Sequence, residues 1–170
     1  MNIGKDFVNF NLPCTRLVRN YVAYQYRHEE EIIVHQNNIV GRELYKIFTN
    51  PNNFKCNGFA VKDETILPLK LTVRSLQHIK CTNIKRETIN YFNETMYKWL
   101  MKDFIDYMED NIGREKKVVL MEEFRAKYSL TEEDLSIDTL WKNDFRKITN
   151  ARYSINTHIE KFSRFASNNL

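Results

Sequence analysis

The chain has 170 residues, of which 42% are hydrophobic and 28% charged, a balance that excludes a disordered polymer and allows a sizeable core. Four Gly and three Pro are too few for a turn-rich all-β fold, so long regular helices are expected. The net charge of +4 identifies no partner alone, but its distribution is uneven. Residues 1–80 carry eleven Lys and Arg against seven acids, residues 81–135 nine against twelve, and residues 136–170 six against three. A basic excess at both ends of an acidic middle favours two polyanion-facing regions over one uniformly basic surface.

Val8, Phe10 and Leu12 alternate as in a short strand, with Phe7 on the opposite side and Pro13 as its stop. Thr15 can cap a helix running to about Arg27, with Leu17, Val18, Tyr21, Val22 and Tyr24 inward and Arg16, Arg19, Asn20 and Arg27 opposite. Ile32 to His35 is a β-branched run and reads as a strand. Asn37 or Asn38 then opens a second helix with Val40, Leu44, Ile47 and Phe48 inward, ended at Asn50-Pro51. Phe54 to Val61, turning on Asn57-Gly58, has the form of a small hairpin. Leu67, Leu69, Leu71 and Val73 give the clearest strand pattern, in which Pro68 is expected at an edge or bulge.

Thr82 or Asn83 is expected to cap the longest helix, reaching Gly113 as a left-handed stop, with Ile89, Phe92, Met96, Trp99 or Leu100, Phe104 and Met108 along one stripe. Nearly 30 residues would span ~40 Å, enough to brace both halves of the chain. Tyr91, Tyr97, Trp99 and Tyr107 widen its apolar surface, either for an oligomer contact or for burial on two sides.

From Lys116 the pattern becomes a helix with Val118, Met121, Phe124 and Tyr128 on one face, then a break at Ser129-Leu130. Thr131 with Asp134 forms a capping-box variant that would open a short helix. Ser136 or Asp138 caps a third helix, Thr139 to Ile148, with Ile137, Leu140 or Trp141, Phe145 and Ile148 inward. Its outer face carries Thr139, Lys142, Asn143, Arg146 and Lys147, as a groove-reading helix of a helix-turn-helix unit would. Arg and Asn can pair with guanine and adenine edges, so Arg146 and Asn143 are the candidate base readers. Lys116, Lys117, Lys142, Lys147 and Arg152 suit phosphates, with Arg114 beside them. Any amphipathic helix on a three-helix core also shows a charged outer face. No Gly marks the turn, and Glu132, Glu133 and Asp134 would repel phosphate if they faced it. Ile155, Ile159 and Phe162 allow a last short helix.

No nucleophile elbow, phosphate-binding glycine loop, HExxH motif or strand-end acid cluster is present. Asp103, Asp106 and Asp110, with Glu109, recur at helical spacing and would suit a divalent ion, as many exposed helix faces do. Cys14, Cys56 and Cys81 form no CxxC, and His78 with Cys81 is a lone HxxC, so reduced thiols without metal are expected. No apolar run approaches the ~20 residues of a membrane span and the N-terminus lacks a signal-peptide pattern, so a cytoplasmic location is expected.

Phe10-Asn11-Leu12-Pro13 leading into the first helix, the Phe92-Asn93 helix, and Phe124-x-x-x-Tyr128 with Thr139-Leu140-x-Lys142 and Arg146 together resemble small uncharacterised helix-turn-helix-like proteins of phages and mobile elements. The resemblance covers nearly all the chain and implies a helix-turn-helix protein of an accessory gene set, without site residues to carry over.

The expected architecture is α+β: a small α/β subdomain over residues 1–81, a connecting helix over 82–113 and a helical unit over 114–170. The expected function is non-enzymatic binding of duplex DNA, as a homodimer, with neither cofactor nor small-molecule substrate. The rival is a protein-interaction or assembly component, virion-associated or host-directed, that binds no nucleic acid.

Overall fold

The computed structural model describes residues 7–27, 32–34, 37, 39–49, 64–72 and 84–143. In chain order they form β1 (Phe7–Thr15), α1 (Arg16–Gln25), β2 (Ile32–Ile33), α2 (Ile39–Thr49), β3 (Glu64–Thr72), α3 (Arg86–Asp110) and α4 (Lys117–Lys127), followed by helical residues 137–143. The fold is α+β, as the composition and periodicities imply. The expected hairpin at 54–61, Val73, the His78/Cys81 pair and everything from 144 onward lie outside the described residues.

The sheet is mixed, in the order β1-β3-β2, with β1 antiparallel and β2 parallel to the central β3. Leu12 faces Leu67 and Phe10 faces Leu69 across the ladder, so one side of the sheet carries Phe10, Leu12, Cys14, Leu67, Leu69 and Leu71. All of these but the half-buried Phe10 are fully inside, whereas Asn9, Asn11, Ile66 and Pro68 on the other side are exposed. Val8, expected inside, is 43% exposed.

Both prolines depart from expectation. Pro13 does not stop β1, which continues to Thr15, and Pro68 lies in the central strand. Their pairs, Pro13 with Ile66 and Asn11 with Pro68, are two residues apart and so of one parity in the ladder. In an antiparallel pair, every second residue points its amide away from the shared seam. The Lys70 carbonyl accepts from the Val34 N–H at 2.9 Å, so this parity in β3 points towards β2. Pro68 therefore lacks a donor on the β2 side, where the described pairing begins one residue later at Leu69, and Pro13 lacks one on the outer side of an edge strand. Neither proline removes a bond from the β1–β3 seam.

Thr15 ends β1 and caps α1, its hydroxyl accepting from the Val18 N–H at 3.2 Å. Leu17, Val18, Tyr21 and Val22 are buried and Tyr24 is half-buried. α2 buries Val40, Leu44, Ile47 and Phe48 as its spacing requires. α3 begins at Arg86 with Lys85 as its cap residue, later than the Thr82 or Asn83 expected. It packs on β1, α1, α2 and α4 through Ile89, Phe92, Met96, Leu100, Phe104 and Met108. Tyr91, Tyr97, Trp99 and Tyr107 are half-buried against the same core, so the chain itself covers part of the broad aromatic surface. After α3, Gly113 takes φ +81, the left-handed turn expected of it.

One core cluster runs from Leu12 to Leu140 and draws on every described element. Asn93 is fully buried within it. Its Oδ1 accepts from the Thr15 N–H at 2.8 Å and its Nδ2 donates to the Ile89 carbonyl at 2.8 Å, which fixes the β1–α1 corner to α3. Cys14 is buried and unpaired, and burial pushes its thiol up to about 12, leaving it protonated and inert at neutral pH. No described helix is long and apolar enough to cross a membrane.

Candidate nucleic-acid interface

The inward face of α4 is Leu120, Met121 and Phe124, continued by Tyr128, while Val118 is 45% exposed. Met121, Phe124 and Tyr128 are inward as expected, and Leu120 takes the place expected of Val118. α4 ends in a Schellman closure: the Leu130 N–H donates to the Arg125 carbonyl at 2.9 Å and the Ser129 N–H to the Ala126 carbonyl at 3.0 Å. Ser129 occupies the left-handed position, φ 54, where glycine is usual. The turn is thus made without a glycine.

Thr131 and Asp134 do form the reciprocal cap. The Thr131 N–H donates to Asp134 Oδ2 at 2.9 Å, and the Asp134 N–H to Thr131 Oγ1 at 3.4 Å. They close a single turn rather than a short helix, because Leu135 turns into the core and Ser136 starts a new cap. Ser136, not Asp138, is that cap: its Oγ accepts from the Thr139 N–H at 3.1 Å, and helical residues begin at 137 rather than 139. The connection from α4 to this last segment spans 128–136, longer than the three or four residues of a compact helix-turn-helix turn.

α1 holds the connection in place. Arg16 Nε donates to Asp134 Oδ1 at 2.5 Å and its Nη2 to Thr131 Oγ1 at 2.9 Å, while Asn20 Nδ2 donates to the Ser129 carbonyl at 2.8 Å. Glu132 pairs with Arg125. Burial alone would raise the Asp134 pKa, but the Arg16 and Thr131 hydrogen bonds outweigh it and hold the carboxyl below its ordinary value. Glu133 also lies 3.4 Å from Arg16 Nη2, so all three acids able to repel phosphate are met by guanidinium groups of the chain itself. The same pairing removes Arg16 from any polyanion-facing surface at the N-terminal end.

Of the residues that the sequence selects for DNA, Lys116, Lys117, Thr139, Lys142 and Asn143 are described, and Arg146, Lys147 and Arg152 lie outside the described residues, as do Phe145 and Ile148. Lys116 is exposed at the start of α4. Lys117 Nζ lies 5.9 Å from the centroid of the Trp141 ring, a cation–π contact that brings the start of α4 beside the last helical segment. Leu140 is the fully buried residue of that segment, and Trp141, 44% exposed, is on the outer side with Lys142. Lys142 pairs with Asp138 at 2.6 Å, both side chains largely in solvent. The polar readers turn inward: Asn143 Nδ2 donates to the Thr139 carbonyl at 2.8 Å, and the Thr139 hydroxyl shares a 2.8 Å hydrogen bond with Ser136. Arg114, expected at flanking phosphates, instead pairs with Glu123.

The acid series on α3 is not gathered into a metal site. Asp103 Oδ2 accepts from the Tyr21 hydroxyl at 3.2 Å and the Tyr128 hydroxyl at 3.1 Å, and Asp106 pairs with Lys102 at 2.6 Å. Among the described residues, no three His, Cys, Asp or Glu side chains come together to hold an ion.

Compared with family models, curated proteins and solved structures, the chain matches none.

Proposed function

We propose that this chain is a non-enzymatic DNA-binding protein, an accessory factor or regulator of the kind phages and mobile elements carry, acting as a homodimer in the cytoplasm. The observation that carries the reading is the Lys117–Trp141 contact, which sets the half-buried Lys117 and its exposed chain neighbour Lys116 at the start of α4 beside the segment that carries the exposed Lys142. This proposed rim, a lysine on a half-exposed indole with Lys116 and Lys142 as their chain neighbours, suits a phosphate backbone, with the ring against a sugar or base. The exposed Lys142–Asp138 pair is weak enough to be exchanged for a phosphate contact. Since Asn143 and Thr139 are engaged by their own helix, this rim would set affinity and register more than sequence. Base readout falls to Arg146.

The discriminating experiment is a gel-shift series with random duplex DNA, single-stranded DNA and RNA at several salt concentrations. The proposal requires duplex binding that weakens steeply with salt. The rival, a protein-interaction component, draws on the exposed Val118, Val119 and Trp141 at the same end of the molecule. A stable assembly by light scattering, with no salt-dependent DNA binding, would favour it.

A further inference from the structure

Three tyrosines from three different helices meet around one cation. Tyr24 comes from α1, Tyr107 from α3 and Tyr128 from the end of α4, and the Lys127 Nζ lies 5.4, 5.8 and 5.1 Å from their respective ring centroids. The rings support one another: Tyr24 and Tyr128 meet edge-to-face at 4.6 Å, and Phe124 links Tyr107 to Tyr128 at 5.7 and 5.0 Å. Hydrogen bonds to carboxylates fix two of them. The Tyr128 hydroxyl donates to Asp103 at 3.1 Å, and the Tyr107 hydroxyl to Glu123 at 2.8 Å. A phenol that donates to a carboxylate becomes more electron-rich, which strengthens the attraction of its ring face for a cation.

Lys127 is the least constrained member. It is exposed, on a flexible four-carbon stem, whereas Tyr128 is 1% exposed and Tyr24 and Tyr107 are half-buried. The rings are therefore set by the core, and the ammonium is a tethered visitor. We propose that Tyr24, Tyr107 and Tyr128 form a binding site for methylated ammonium cations, with Lys127 as an internal occupant that such a ligand displaces. The ligand class follows from hydration. A primary ammonium binds water strongly and would have to compete with a lysine already held beside the site. A trimethylammonium group sheds water easily and spreads its charge over methyl groups that can touch several ring faces together. This site is separate from the Lys117–Trp141 rim and does not depend on DNA binding.

The test titrates the ¹⁵N-labelled full chain, at constant ionic strength, with tetramethylammonium, choline, Nε-trimethyllysine and the neutral isostere 3,3-dimethylbutan-1-ol. The expected result is saturable amide shifts around Tyr24, Tyr107 and Lys127 for the cations and none for the alcohol. Lys127→Ala should tighten cation binding roughly tenfold, the factor set by removing a competitor held through a few exposed cation–π contacts. Tyr107→Leu should abolish saturation and Tyr107→Phe retain most of it. Tyr24→Leu serves as a second wall deletion if Tyr107→Leu does not fold. A preference for Nε-trimethyllysine would identify a methylated protein tail as the source of the group, and a preference for choline a small molecule. Shifts that grow linearly without saturating, an equal response to the alcohol, or unchanged affinity in Lys127→Ala would each overturn the proposal.

Discussion

Arg16 and Asp134 are 118 residues apart in sequence, yet their side chains meet at 2.5 Å. Arg16 is half exposed and Asp134 only 5% exposed, so the carboxylate is the committed partner and the guanidinium reaches down to it. Through this pair the first turn of α1 holds the turn that leads into the last helical segment. The orientation of the proposed DNA rim is therefore set partly by the N-terminal half of the chain.

The pair makes stability pH-dependent with a definite sign. The Asp134 pKa is depressed in the folded chain, so its contribution is complete above the unfolded carboxylate value of about 4 and is lost as pH falls through the folded value. Asp134→Asn should lower the urea midpoint at pH 7 and converge with the parent chain as the solution is acidified. A gap that stays constant down to the acid transition would show that the contact does not titrate as described.

Asn93 offers a sharper test of the core. Asn93→Leu fills similar volume but leaves the Thr15 N–H without its acceptor in a buried corner. The expected loss is about 1–3 kcal/mol in the urea-derived unfolding free energy. Loss of the corner should also increase hydrogen exchange at the Thr15 and Val18 amides more than at α4, and uniform exchange changes would contradict a local anchoring role.

Ser129 occupies a left-handed position that costs a non-glycine residue on the order of 1 kcal/mol. Ser129→Gly should raise the thermal midpoint slightly, the gain being reduced by the greater freedom of glycine in the unfolded chain. Ser129→Val should lower it. Since the parent and both variants keep the carbonyl that accepts from Asn20, the opposite ranking would mean that the left-handed backbone does not govern the site.

Alkaline behaviour should follow from Tyr21 and Tyr128. Burial, reinforced by the Asp103 carboxylate, raises both pKa values above the ordinary tyrosine value. A raised folded value means that the stability is complete below about pH 10 and declines as pH rises, because the unfolded chain ionises first. In a spectrophotometric titration these two of the nine tyrosines should ionise only as the circular dichroism signal is lost. Tyr21→Phe should flatten the dependence of stability on pH above 10, and a slope parallel to the parent's would count against the assignment.

The features legible in the sequence are those that local spacing decides. Thr15 as a cap, the α2 stripe, the α3 stripe from Ile89 to Met108 and the Gly113 stop all depend on residues within a turn or two of one another. Features set by distant partners are not legible there. Whether Pro13 and Pro68 are tolerated depends on ladder parity, which exists only once β1 is registered against β3. The choice of Leu120 over Val118, or Leu140 over Trp141, depends on which side the core lies. Within the proposed rim, residue type alone singles out Lys116, Lys117 and Lys142 as candidates, but nothing local foretells that Lys117 lies over Trp141. Asn143 shows the reverse problem: its type suits base reading, but its own helix carbonyl is a nearer acceptor.

The DNA proposal makes a graded electrostatic prediction at this rim. Removing one lysine–phosphate interaction should reduce the slope of log affinity against log salt by about 0.9. Lys116→Ala with Lys117→Ala, and Lys142→Ala with Arg146→Ala, should each flatten the slope and weaken binding to duplexes of unrelated sequence. Losing Arg146 should also relax any sequence preference. Asp138→Asn should act oppositely, since it releases Lys142 from its 2.6 Å partner and removes a negative charge from the rim. Tighter binding at low salt, converging with the parent chain at high salt, is the expected signature. Fluorescence anisotropy with a labelled duplex across a salt series measures the two double variants and Asp138→Asn side by side. If the lysine variants keep the parent slope, or Asp138→Asn binds no better, the phosphate-facing role of this rim is wrong.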